Sequence, residues 1–303
     1  MLRKHFVVYP VRVSMNVLKV IKGLVSFVPR ADIVFVWFAG FQAFLSVFLA
    51  KLFRKKLVVV AGGYDAVYAP EIGYGVFTCW WRAAMAFFVY KNADFVLAVS
   101  ENTKKELFQR VKTKKVVTIH NGVDIRKFTP IGRKEKFVLT VGAVNNSNLK
   151  KKGFETFVRT AKFLPRTRFI LVGSHVHETV QYLRKIASEN VEFTGFISFK
   201  KLLNFYRRAM VYTQLSYHES FGVALAEAMA CECIPVVTRR AALPEVAGNC
   251  GIYVPYGDAE ATAEAIKKAF GQEKLGKCAR GRIVRMLSFE KREKELVEII
   301  DSL

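Results

Sequence analysis

Short, unbroken apolar runs recur through this 303-residue chain, each separated from the next by a stretch of helical spacing. They are HFVVYPV (5–11), IVFVWF (33–38), KLVVVAG (56–62), FVLAVS (95–100) and VVTIH (116–120). Beyond a turn at Asn121 and a segment holding Pro130 come KFVLTVG (136–142), RFILVG (168–173), VEFTGF (191–196), MVYTQLS (210–216), IPVVT (234–238) and GIYVP (251–255). Strands apolar on both sides belong to parallel sheets covered by helices on both faces. The length exceeds that of an ordinary single domain. The pattern therefore predicts an α/β protein of two doubly wound domains, joined near residues 126–135, with a ligand in the cleft between them.

Charge narrows the partners. The chain carries 48 Lys and Arg against 25 Asp and Glu, a net of +23, and the first 130 residues are the more basic part. Such an excess attracts phosphorylated substrates and anionic surfaces. Charge is the sole feature favouring nucleic acid, because no recognition helix, aromatic RNA-binding signature or zinc knuckle accompanies it. The uncharged stretch 33–50 could be offered as a membrane span, but Ala39-Gly40 divides it into a β-rich and a helical half, which predicts a buried strand followed by a buried helix. Trp80, Trp81, Phe87, Phe88 and Tyr90, interleaved with Arg82 and Lys91, suit either a helix lying on a bilayer or ordinary core packing. The five cysteines lack metal-site spacing and are expected to be buried or free thiols of a reducing compartment. The N-terminus reads as a strand, since it has no signal-peptide core.

The densest chemistry lies in ESFGVALAEAMACECIPVVTRRAALPE, residues 219–245. Eight positions of helix rise span roughly 12 Å, so Glu219 can sit in a loop while Glu227 sits inside the helix that follows. Between them, the N–H groups of Phe221 and Gly222 stand at a helix N-terminus, a seat for phosphate. An anion seat flanked by two separated carboxylates fits a ligand that is diphosphate in the middle and polyhydroxylated at both ends, such as a nucleotide-sugar.

Other landmarks follow in order: NGVD at 121–124 with Phe128 and Pro130, TVG at 140–142, KG at 152–153, ESFGVALAEAMA at 219–230, LPEV at 243–246 and a closing SFEKREKELVEII. Over about residues 55–303 the set resembles the retaining GT-B glycosyltransferases, the large family 4-like group that includes sucrose synthases and cell-wall mannosyl- and glucosyltransferases, with a shortened N-terminal domain. The resemblance implies an acceptor-side Rossmann-like domain at 1–128, a nucleotide-sugar donor domain at 129–285, and a C-terminal helix at 286–303 packing back on the first domain. It implies metal-independent transfer of a hexose, with retention, from a UDP-sugar or GDP-sugar to a lipid-linked or polysaccharide acceptor. A non-catalytic nucleotide-sugar-binding or scaffold subunit is the alternative. The basic, aromatic N-terminal half adds an anionic membrane surface as a partner, and a cytoplasmic protein peripheral to the inner face of the cell membrane.

Residue by residue, Gly142 is expected to leave room for phosphate to approach the backbone, and the resemblance implies that Lys152 meets the donor diphosphate. Glu219 is expected to hold hydroxyls of the transferred sugar, Ser220, Phe221 and Gly222 to line the anion seat, and Glu227 to accept from the ribose. Asp65, in AGGYD, is expected to be catalytic together with Lys152 and Glu219; it is retained from an HGxD-like turn whose histidine faces the acceptor in the resembled family, but Gly62 stands where that histidine would be. The arginine expected after the strand-ending VG is Ala143, and the glycine pair before LPEV is Ala241-Ala242. Arg239 or Arg240 is the expected substitute cation. Of the histidines, His175 and His177 read as surface residues, His218 as a pocket residue and His120 as the close of a turn.

Overall fold

The computed structural model describes residues 1–11, 16–113 and 115–303. The chain forms two compact units, one of Met1–His120 with Arg292–Leu303 and one of Asn121–Lys291. Each unit is built around its own parallel sheet.

In the first unit α1 (Val17–Phe27) precedes β1 (Ile33–Trp37), α2 (Phe41–Leu52), β2 (Lys56–Ala61), α3 (Trp80–Asn92), β3 (Phe95–Ala98), α4 (Glu101–Arg110) and β4 (Val116–Thr118). The strands lie in the sequential order β1-β2-β3-β4, with Phe35 opposite Val58 and Val60 opposite Leu97. Val34, Val58, Val59, Val60, Val96 and Val116 are buried, and Leu57, Val59, Ala61, Val96 and Ala98 share one core with Ala43, Val47, Val89 and Leu107 of the three crossover helices. Local signals place the helix starts. Asn16 accepts from the Lys19 N–H at the head of α1, and Ser100 Oγ accepts from the Thr103 N–H at the head of α4. The stretch 33–50 divides as its Ala-Gly pair predicts, into β1 and α2. Among the described residues no helix is long and apolar enough to cross a membrane.

One expected strand does not form. Residues 5–11 follow a 3-10 turn at Leu2–Lys4 and run irregularly, with Val7 82 % exposed. Pro10 has no N–H to give a ladder. The segment instead rests on α1, where Tyr9 stacks on Phe27 and Val11 lies against Gly23. The apolar run finds part of its partner surface on α1 rather than in a sheet.

The second unit runs β5 (Glu135–Val141), α5 (Asn146–Lys152), α6 (Phe154–Ala161), β6 (Arg168–Val172), α7 (His177–Ile186), β7 (Val191–Gly195), α8 (Phe199–Arg208), β8 (Ala209–Gln214), α9 (Val223–Ala230), β9 (Ile234–Thr238), α10 (Leu243–Ala247), β10 (Ile252–Val254), α11 (Ala259–Ala269) and α12 (Glu273–Met286). Its strand order is β10-β9-β8-β5-β6-β7, so the winding reverses between β5 and β8. That reversal opens a crevice at the carboxyl ends of the two strands, where ligands of such sheets bind. The last helix, α13 (Phe289–Asp301), carries Arg292, whose guanidinium donates to the carbonyls of Ile119 and His120 within the first unit. Lys4 and His5 meet Glu293 of the same helix at 3.3 Å.

The cysteines depart from expectation. Cys231 and Cys233 are buried free thiols, and Cys79 is free and half-buried, but Cys250 and Cys278 form a disulfide that ties the turn after α10 to α12. Sequence spacing could not pair them, because the partners are 28 residues apart and meet only once β10 and α11 have folded between them. Closing a loop of that length stabilises the fold by about 3–4 kcal/mol in the chain-entropy estimate. Cys278→Ser is therefore expected to melt several degrees below the oxidised parent and level with the reduced one. Equal melting of all three would show the bridge to be without effect.

Candidate functional site

The crevice between β5 and β8 collects most of the residues singled out above. β5 ends at Val141, and Gly142 continues in line by donating its N–H to the Val172 carbonyl at 2.9 Å. A Cβ at Gly142 would stand 2.8 Å from Cδ of Lys152, so the glycine makes room for the lysine stem. Lys152 is the last residue of α5. Gly153 then turns the chain at φ +66, and its bare Cα lies against the Leu215 carbonyl, where a Cβ would come within 2.1 Å. This close approach aims Lys152 at the loop that follows β8.

There the lysine meets Glu219. Lys152 Nζ donates to Glu219 Oε1 at 2.7 Å, and Gln214 Nε2 and Ser216 Oγ donate to the same oxygen at 2.9 and 3.2 Å. Gln214 is held in turn by Tyr212, whose hydroxyl donates to its Oε1, and the Ser216 carbonyl accepts from Thr238 Oγ1. The glutamate is thus fixed from two adjacent strands, β8 and β9, and from the end of α5. Burial pushes the Glu219 carboxyl up, but Lys152, Lys151 and Ser216 outweigh it and hold the group below the usual carboxylate range. Lys151, half-buried beside the pair, is driven the other way: burial lowers its pKa and Lys152 lowers it further, while Glu219 opposes both. The KKK run therefore divides its labour. Lys152 binds Glu219, Lys151 adds a second positive charge near it, and the Lys150 carbonyl accepts from the Tyr256 hydroxyl.

Past Glu219 the chain passes Ser220 and the buried Phe221, then turns at Gly222 with φ +95 into α9. Leu225, Ala226, Ala228, Met229 and Ala230 bury most of that helix. Glu227 is the polar exception, and its Oε2 accepts from the Tyr206 hydroxyl at 3.2 Å. Burial raises this carboxyl to about 7, with Tyr206 and Lys127 pulling down only in part. Two carboxylates eight residues apart thus differ sharply: Glu219 is ionised at neutral pH, whereas Glu227 is poised to exchange a proton there.

The two arginines do not join this cluster as expected. Arg239 lies over the Tyr253 ring at 4.2 Å, and Arg240 lies between Tyr217 at 4.1 Å and Tyr256 at 5.3 Å. Aromatic faces occupy both guanidinium groups, and the second cation at the site is Lys151, which single-residue reading left undistinguished from its neighbours. The turn after them accommodates the Ala241-Ala242 departure at a cost. Ala241 takes φ +47, a conformation natural to glycine and costing an alanine about 1 kcal/mol, while the Ala242 N–H holds the Glu219 carbonyl at 3.1 Å.

Asp65 belongs to the first unit and has an occupation other than catalysis. Its carboxylate is 3 % exposed, and both oxygens are filled: Oδ1 accepts from the Gly62 and Gly63 N–H groups, and Oδ2 from the Ala39 N–H and the Tyr90 hydroxyl. It fastens the turn after β2 to the turn after β1 and has no lone pair to offer a substrate. Tyr90 is accordingly a buried anchor rather than part of an interfacial stripe; Trp80, Trp81 and Phe87 are the exposed aromatics of α3, and Phe88 packs against the core. Gly62 also has a physical reason. The Phe38 ring fills the space its side chain would need, 2.1 Å from where a Cβ would stand. His175 and His177 are exposed, His177 meeting Gln181 at 2.7 Å, whereas His218 is buried and the His120 carbonyl receives Arg292.

Known proteins resemble this chain in sequence family and in fold. The family model described as glycosyltransferase family 4 matches residues 3–127, and that described as glycosyl transferases group 1 matches residues 135–272. An uncharacterised glycosyltransferase of Methanocaldococcus jannaschii is 25 % identical over 270 residues, covering 82 % of this chain and 69 % of the relative. The GDP-mannose:cellobiosyl-diphosphopolyprenol α-mannosyltransferase of Xanthomonas oryzae is 27 % identical over 57 % of this chain and 48 % of its own length. The chain spans between about half and two thirds of most curated relatives it matches. Among solved structures, Anabaena HepE in complex with UDP and glucose superposes with a TM-score of 0.82 at 17 % identity, covering 97 % of this chain and 84 % of that one. Two family models in tandem and a shared two-sheet fold place the protein in the GT-B glycosyltransferases of the family 4 and group 1 type.

Proposed function

We propose that this protein transfers a hexose from a nucleoside-diphosphate sugar, UDP- or GDP-linked, to a lipid-linked or polysaccharide acceptor at a membrane surface, with retention of configuration and without a divalent ion. The observation that carries the proposal is the buried Lys152–Glu219 pair at the β5/β8 switch point, flanked by Lys151 and by the turn into α9. Lys151 and Lys152 supply the positive charge that offsets a departing diphosphate. Glu219, ionised, accepts from hydroxyls of the sugar through the oxygen its protein partners leave open. Glu227 accepts from the ribose. The Xanthomonas relative is named for a GDP-mannose donor and a diphosphopolyprenol acceptor, and HepE was solved with UDP and glucose, which is support by likeness for a nucleotide-sugar donor and a lipid-linked acceptor.

A second reading, a nucleotide-sugar-binding scaffold, is favoured by the loss of any side chain at position 62 and by the commitment of Asp65 to its loop. Release of nucleoside diphosphate from a nucleotide-sugar separates the two, since a scaffold binds without turnover. Under the enzyme reading, release persists in excess EDTA; a requirement for added divalent metal would contradict the metal-independent part.

The protonation of Glu227 gives a sharper test. A ribose hydroxyl donates best to the ionised carboxylate, so nucleotide affinity is expected to rise as pH passes upward through about 7. Calorimetric titration with UDP and GDP should show this rise for one nucleotide in the parent, and a weak, pH-flat profile for Glu227→Gln. The sign of the folding linkage is opposite. A carboxyl whose folded pKa is raised contributes stability at low pH that is lost as pH rises through that pKa, so the same variant should gain stability over the parent at pH 8. An unchanged affinity profile in the variant would remove Glu227 from the site.

The membrane element rests on the net charge of +23 and on Trp80, 84 % exposed, with Trp81 and Phe87 beside it on α3. Sedimentation with anionic vesicles is expected at low salt and should weaken steeply with added salt. Indifference to lipid charge would contradict it.

A further inference from the structure

The donor crevice leaves unexplained the most constrained backbone of the first unit, where β1 and β2 end side by side. Ligands of open parallel sheets gather at the carboxyl ends of the strands. At that end Phe38 holds φ +66, a conformation bulky L residues rarely adopt. Its N–H still donates to the Val60 carbonyl at 3.0 Å, and its ring lies over Gly62. Asp65 then locks the residues on either side of the contact, taking the N–H groups of Ala39, Gly62 and Gly63. Strain of this kind survives only where the surroundings over-determine it, and it clusters at ligand clamps.

Burial does not account for the strain. Phe38 remains 49 % exposed and Trp37 48 %, with ring centroids 6.1 Å apart and planes tilted by 54°. Trp37 is backed by the buried guanidinium of Arg292, 5.6 Å from its ring centre. Gly40, next along, borders open space. The turn therefore holds two large apolar faces toward solvent with its own N–H groups already spent.

We propose that Trp37 and Phe38 form a stacking platform for a pyranose ring of the acceptor, a reading that rests on the glycosyl transfer proposed above. Backbone amides that would otherwise recognise a polar ligand here are consumed by Asp65, so the surface presents aromatic faces. Its neighbour is polar: Tyr64, two residues past Gly62, carries Arg82 on its hydroxyl at 3.1 Å. A hexopyranose matches both features, laying its C–H face on the rings and turning its hydroxyl groups to the rim. An acyl chain would match the rings alone.

Ligand-observed saturation-transfer NMR on the full chain tests this, with methyl α-glucopyranoside, methyl α-galactopyranoside and methyl α-mannopyranoside as probes and monomeric dihexanoylphosphatidylcholine as the apolar comparison. Phe38→Gly removes the ring while suiting the backbone at φ +66, so the fold is retained; Phe38→Tyr restores the ring. At least one pyranoside is expected to receive saturation, strongest at its ring C–H protons. The effect should fall about fivefold in Phe38→Gly, recover in Phe38→Tyr and persist in Trp80→Ala. No transfer to any pyranoside, equal transfer in Phe38→Gly, or transfer to the phospholipid alone would overturn the platform. UDP and GDP titrations on the same samples keep the two readings apart: nucleotide binding should be unaltered by the Phe38 variants, and its absence with stacking retained would defeat the donor reading while leaving the platform standing.

Discussion

A single buried ion pair, Lys152 with Glu219 at 2.7 Å, holds the crevice of the second unit in working shape. It joins the end of α5, which follows β5, to the loop that follows the neighbouring β8. Gly142 and Gly153 remove the atoms that would block the lysine, and Gln214 and Ser216 complete the glutamate's shell. Removing one partner would leave an uncompensated buried charge, which in comparable sites costs about 3–5 kcal/mol. The pair is also incomplete in a useful sense. All three of these donors meet Oε1, one oxygen of an ionised carboxylate, with Lys151 adding positive charge nearby.

The first unit uses the same device for another end. Asp65 draws three N–H donors from two turns into one buried carboxylate, and the Tyr90 hydroxyl reaches it from α3 as the fourth. Burial pushes the Asp65 carboxyl up, against hydrogen bonds that pull it down. What the two sites share is a buried carboxylate that joins the carboxyl ends of adjacent parallel strands. They differ in what they leave exposed. At Glu219 it is an acceptor among cations, and at Asp65 it is a pair of aromatic rings on strained backbone.

Much of this architecture could be read from the chain because its signals are local. The runs at 56–62, 168–173 and 234–238 are rich in β-branched residues, and each appears as a strand within a residue of expectation. Glu219 in a loop and Glu227 within a helix follow from the spacing of ESFGVALAEAMA, and both stand where that spacing puts them. Readings failed where the partner is distant in sequence. HFVVYPV has a strand's composition, but its fate was decided by α1. Asp65 looked catalytic because its four donors, from Ala39 to Tyr90, are invisible until the loops meet. The reason for Gly62 is a phenylalanine 24 positions earlier, and the choice of Lys151 as second cation over Arg239 depends on which tyrosines the arginines find. Cys250 and Cys278 belong to the same class.

The central claim is that Lys152 and Glu219 act as one unit in seating a nucleotide-sugar. A double-mutant cycle measures this directly, from the affinity of the preferred nucleotide-sugar for the parent, Lys152→Met, Glu219→Gln and the double variant. The account predicts that each single change weakens binding and that the double variant is little worse than either, a coupling of about 1–3 kcal/mol. Additive losses, or single variants that bind as the parent does, would contradict it.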